Sequence, residues 1–152
     1  MALEQQIEKD LKSALLNGDK LKVETLRGIK SAILYVKVAD GTRNSVMDDN
    51  LLLPLLAKEA KKRQESIDLY KQAGDKARAE KEQREKNIIE GYLPQQLSEA
   101  ELMAVVDAVI QRTGADNMAA MGKVIGDVKQ ETKGAADGAL IAKLVKEKLA
   151  NR

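Results

Sequence analysis

The stretch Gly91-Tyr-Leu-Pro-Gln-Gln-Leu-Ser-Glu-Ala-Glu-Leu102 constrains this chain more than any other. Gly91 offers a left-handed helix end, and Pro94, which lacks an amide proton, cannot continue the helix. Ser98 and Glu101 then form a capping box, Ser-x-x-Glu, ahead of Leu102, Val105, Val106, Val109 and Ile110. A stop, a rigid joint and a start this close together predict two helical units, residues 1–93 and 94–152, joined at Gly91 to Leu97.

Apolar residues recur at helical spacing on both sides of that joint. Leu3, Ile7, Leu11 and Ala14 mark a first helix that Asn17-Gly18 ends. Leu26, Ile29, Ile33 and Val36 mark a second that Asp19 opens. A third begins near Asp48 to Asn50, with the stripe Leu56, Ala60, Arg63, Ile67, Tyr70 and a stop at Gly74. Pro54 belongs in a first turn, so the regular part of this helix is expected to begin there. Asp75 caps a fourth helix, Lys76 to Glu90, rich in i,i+4 charge pairs. Its apolar residues gather at Ile88, Ile89, Tyr92 and Leu93, so it reads as mostly exposed and docked by its last turns.

Three shorter helices follow. The first runs roughly 99–112. The second follows an Asp116 cap and carries Met118, Met121, Ile125 and Val128. The third follows Asp137 and carries Leu140, Ile141, Leu144, Val145 and Leu149. No period-2 strand pattern occurs. The expected fold is all-α: an N-terminal helical hairpin-like unit followed by a compact three-helix bundle.

Composition removes several chemistries. With no cysteine and no histidine, the chain has no disulfide, no thiolate nucleophile and neither of the commonest zinc ligands. No serine lies in a nucleophile-elbow context, and Asp48-Asp49 is too sparse an acid pair for a metal site. No catalytic residue, cofactor site or metal site is assigned. The start Met-Ala-Leu-Glu-Gln-Gln does not read as a signal peptide, and the apolar run Leu51 to Ala57 is too short to span a membrane. A cytoplasmic protein is expected.

Net charge is only +2, with eighteen basic and sixteen acidic residues up to Leu93 and eight of each after it. A chain this balanced does not coat nucleic acid nonspecifically, so binding requires a local face. One candidate is Lys58, Lys61, Lys62 and Arg63 on the third helix, the densest positive run. Glu59 offers Arg63 an ordinary i,i+4 pair, and Arg27 and Lys30 on the second helix are a second flank for the same patch. The other candidate lies in the bundle: Lys123, with Lys129 and Lys133 at i,i+4 and no acid between them on that face. Met121-Gly-Lys-Val-Ile-Gly126 places two glycines one turn apart. They serve either close helix packing or a flat groove for a passing backbone. Asn117 and Val124 stand where a phosphate loop needs Gly and Ser or Thr, so this is not a nucleotide site. In Lys133-Gly-Ala-Ala-Asp-Gly138, Gly134 reads as a helix stop and Asp137 as a cap.

Taken in order, Thr25-Leu-Arg27, Ser31-Ala-Ile33, Lys58-Glu-Ala-Lys-Lys-Arg-Gln-Glu-Ser66 with Tyr70 and Gly74, Gly91 to Leu102, Met121 to Gly126 and Lys133 to Gly138 resemble the GatB/YqeY family over the whole chain. Ala135 departs from that pattern, since the family usually carries a basic residue after the glycine there. The resemblance implies an all-helical protein like the tail of the B subunit of glutamine-dependent aminoacyl-tRNA amidotransferases, a tail associated with the tRNA body. It therefore implies a tRNA-interacting module, with tRNA or aminoacyl-tRNA as partner. Two alternatives are an amidotransferase component with carbon–nitrogen ligase activity that takes its amide from glutamine, and an adaptor that binds another protein. The ligase label is read as inherited from the multidomain relative, because this chain carries no nucleotide site.

Purified protein is accordingly expected to release no ammonia from glutamine. Release that a single substitution in this chain abolishes would overturn that expectation.

Overall fold

The computed structural model describes residues 1–151. Their regular structure is helical throughout: α1 (Leu3–Asn17), α2 (Lys20–Asp40), α3 (Asp49–Gln72), α4 (Lys76–Glu90), α5 (Glu99–Thr113), α6 (Met121–Thr132) and α7 (Gly138–Ala150). A 3-10 turn, Met118–Ala120, precedes α6. The chain divides into two compact units, Met1–Leu93 and the part from Pro94 onward.

In the first unit α1 pairs with α2 and α3 with α4, and α2 packs against both members of the second pair. Each helix contributes a stripe to one core: Ile7 and Leu11, then Leu26, Ile29 and Ile33, then Leu52 and Leu56, then Ile89. The α1–α2 connection shows why the reversal is so tight. Gly18 takes φ 67°, where a side chain is strained, and the Asp19 amide reaches back to the Ala14 carbonyl at 3.0 Å. Asp19 then accepts the Lys22 amide at 3.2 Å and starts α2.

Polar ties fix the edges of this core. Glu4 accepts the Met47 amide at 2.5 Å and pairs with Lys37, joining α1, α2 and the loop before α3. The Tyr92 hydroxyl donates to Asp10 at 2.6 Å, fastening the end of the unit to α1. Burial first, and then that bond, push the Tyr92 hydroxyl pKa above its ordinary value.

Three sequence expectations change in this first unit. Pro54 lies well inside α3, which begins at Asp49. The carbonyl it leaves without an amide partner belongs to Asn50, an exposed residue of the first turn. Gly91 has φ −59°, so it does not supply a left-handed stop. The chain instead leaves α4 through tight turns, with Tyr92 bonded to Ile89 and Leu93 to Glu90. Finally, α4 packs along α3 by its length and not only by its last turns, with Ala79, Glu85 and Ile89 all buried. Periodicity counts Ala weakly and Glu not at all, so the inward face was invisible to it.

In the second unit α5, α6 and α7 each contact the other two. Val106, Val109 and Ile110 meet Val124 and Val128, and Ile141, Leu144 and Val145 close the core. Ser98 caps α5 by accepting the Glu101 amide at 3.1 Å, without the return bond of a full capping box. Asn117 takes the capping role expected of Asp116, accepting the Ala119 amide at 2.9 Å. Before α5, the Leu97 amide donates to the Ala135 carbonyl at 2.7 Å, and the Gln96 side-chain amide donates to the Gly134 carbonyl at 3.0 Å.

Each unit owns a core, so residues 94–152 expressed alone are expected to unfold cooperatively by circular dichroism on heating. A fragment without helical signal would show that this bundle is not autonomous.

Candidate nucleic-acid interface

The two basic patches differ in what their charges face. On α3, Arg63 turns to α4 and not to Glu59. Its guanidinium lies 3.3 Å from Glu85 and 3.6 Å from Glu82. Glu59 meets Lys62 instead, at 3.5 Å. Lys30 pairs with Glu8 of α1 at 3.1 Å, so it does not extend the α3 patch. Two of the four cations in that run, Lys62 and Arg63, are thus held by acids within their own unit.

Glu85 is the buried centre of that α3–α4 contact. Burial pushes its carboxyl pKa up, against the pull of Arg63, and the neighbouring Glu82 charge pushes the same way. Two acids therefore share one guanidinium, an arrangement in which desolvation offsets much of the attraction.

The bundle patch is arranged differently. Gly122, Gly126 and Lys129 fall on one exposed row of α6, opposite the buried Val124, Val128 and Thr132. A Cβ at either glycine would meet nothing within 4 Å. The glycines therefore do not serve close packing inside the bundle, and they leave a bare strip of backbone. Lys123 stands one row away. The Lys129 side chain reaches over the start of α7, its Nζ 3.6 Å from where a Cβ on Gly138 would stand.

Lys133 does not continue the Lys129 row as its spacing implied. It lies just past α6 with φ 45°, and Gly134 follows at φ 87°. Lys133 is the only non-glycine residue with positive φ among the described residues. The left-handed region costs an ordinary side chain roughly 1–2 kcal/mol. The surrounding bonds offset that cost: the Lys133 amide reaches Lys129 at 3.0 Å and the Ala135 amide reaches Thr132 at 2.8 Å. The glycine expected to stop the helix is the second left-handed residue of the turn.

Among the described residues no ion pair engages Lys123, Lys129 or Lys133. Arg112, which no sequence motif singles out, reaches from α5 and takes Glu131, the acid that lies between Lys129 and Lys133 in the chain but not on their face. Lys143 and Lys146 on α7 are also outside every ion pair among the described residues, and no local motif marks them either.

The family model described as "Yqey-like protein" matches residues 4–149. The chain belongs to this family. A curated relative, "Altered inheritance of mitochondria protein 41, mitochondrial" from Pyrenophora tritici-repentis (strain Pt-1C-BFP), is 27% identical over 145 residues, which cover 93% of this chain and 78% of the relative. The Yqey-like family is related to the tail of the amidotransferase B subunit. No helix among the described residues of this Yqey-like chain is long and apolar enough to cross a membrane.

The Glu85 environment gives a test with a definite sign. A carboxyl whose folded pKa is raised contributes stability fully below its unfolded value, near 4.5, and loses it as pH rises through the raised value. Glu85→Gln removes the charge and keeps the shape. The variant is expected to melt no lower than the parent at pH 7, and the two melting temperatures should converge below pH 4.5. A clearly less stable variant at pH 7 would show that the Arg63 attraction outweighs burial.

Proposed function

We propose that this Yqey-like protein is a tRNA-interacting module whose second unit meets the phosphate backbone through Lys123, Lys129 and Lys133. The observation that carries the reading is the contrast in neutralisation. The α3 run Lys58, Lys61, Lys62, Arg63 includes two residues already paired with acids, while the three bundle lysines stand outside every ion pair among the described residues. A cation that has no protein counterion is available to displace the counterions condensed on RNA.

Two further features suit that ligand. The open space at Gly122 and Gly126 lets a sugar–phosphate backbone come close to the helix at those two positions. The tyrosines, Tyr35, Tyr70 and Tyr92, all precede Pro94, so the second unit has no ring on which a base stacks. Recognition is then electrostatic and shape-based, as for structured RNA. The family's relation to the amidotransferase tail is what supports tRNA, within that class, as the ligand of this reading. A cytoplasmic setting belongs to the same proposal. The curated relative, by contrast, carries a mitochondrial name.

The double variant Lys129→Ala, Lys133→Ala tests this by titration with a tRNA transcript at several salt concentrations. Affinity is expected to fall, and the slope of log K against log salt to flatten by roughly one unit for each phosphate that the variant no longer neutralises. Unchanged affinity and slope would remove the RNA reading and favour a protein partner on the same face.

A further inference from the structure

The geometry points to Gln96 as a positioning residue for the basic loop: its side-chain amide, held by the segment between Pro94 and α5, fixes the turn that presents Lys133. This deepens the tRNA reading and rests on it for its functional half. The turn is held by ties from outside it as well as by its bonds back to α6. Lys133 and Gly134 are consecutive left-handed residues, and Lys133 is no glycine, so nothing in its own preferences selects this conformation.

The ties come from thirty-eight residues earlier in the chain. Gln96 Nε2 donates to the Gly134 carbonyl at 3.0 Å. The neighbouring Leu97 amide donates to the Ala135 carbonyl at 2.7 Å, and the Leu97 side chain packs against the bundle core. Ala135 is buried, so its carbonyl needs a protein partner, and Leu97 is that partner. The segment therefore lies along the loop and bonds two successive carbonyls, one through a side chain and one through the backbone. Leu97 anchors the strap, and Gln96 holds the residue next to Lys133. Gln96 is uncharged and neutralises no phosphate, so its contribution to binding passes through the position of Lys133.

The test uses Gln96→Met, which keeps the length of the side chain and removes its donor, in the full chain and in a Lys133→Ala background. In the free protein, the amide resonances of Gly134 and Ala135 are expected to shift and their hydrogen exchange to quicken, with the rest of the bundle unchanged. With a tRNA transcript, affinity should fall by at most about tenfold, the ceiling set by one exposed hydrogen bond. The salt slope should stay at the parent value, because Lys133 still reaches its phosphate in the complex and the variant adds only the cost of ordering the loop. In the Lys133→Ala background the same change should cost nothing further, because its route is already cut.

Unmoved Gly134 and Ala135 resonances would overturn the positioning role. Equal losses in both backgrounds would overturn it too, by showing that Gln96 acts independently of Lys133. A parent protein that binds no tRNA would sink the RNA reading and the functional half of this inference. The resonances would still decide whether Gln96 holds the loop.

Discussion

Aliphatic burial on single helix faces is what everything else in this protein depends on. Neither core contains a Phe or Trp, so Leu, Ile, Val, Ala and Met fill both. A buried Leu or Ile side chain contributes about 1.5–3 kcal/mol, whereas an exposed ion pair contributes about 1 kcal/mol or less. The many charges of α3 and α4 therefore add little to stability. What they determine is which cations remain available to another molecule.

That division separates the two basic patches. In the first unit, side chains on facing helices meet over the α3–α4 contact, and Arg63 becomes the counterion of Glu82 and Glu85. In the second, Arg112 is the counterion of Glu131, and no ion pair among the described residues engages Lys123, Lys129 or Lys133. One patch is partly neutralised within its unit, and the other stands outside every ion pair among the described residues. Local charge density does not show these pairings, since Glu82 and Glu85 in one unit and Arg112 in the other lie on a different helix from their partners.

The loop after α6 brings conformation and chemistry together. A lysine in the left-handed region is strained, and it persists where neighbouring bonds over-determine it. Here those bonds come from Thr132, Lys129 and the segment before α5. The exposed row of Gly122, Gly126 and Lys129 leads toward this turn, so a bare strip of backbone lies beside unpaired charge.

Helix number, the buried stripes of α1 to α3, α5 and α7, and most of the caps were legible in the sequence. Spacing at 3.6 residues and the capping chemistry of Asp19, Asp75 and Ser98 are local properties that survive without knowledge of the fold. The family was legible too, because it rests on the order of short motifs. Tertiary structure decided what depends on distant partners. Arg63 turned from Glu59 to Glu85, because burial against α4 outweighs a neighbour on its own helix. Lys133 left the Lys129 row, because a turn tied to Gln96 and Leu97 follows α6 there. The glycines of α6 stayed open, because the neighbouring helices pack on the opposite face. A sequence determines which groups a helix carries, but the charge and reach of each group are settled only once another helix supplies its counterion or leaves it to solvent.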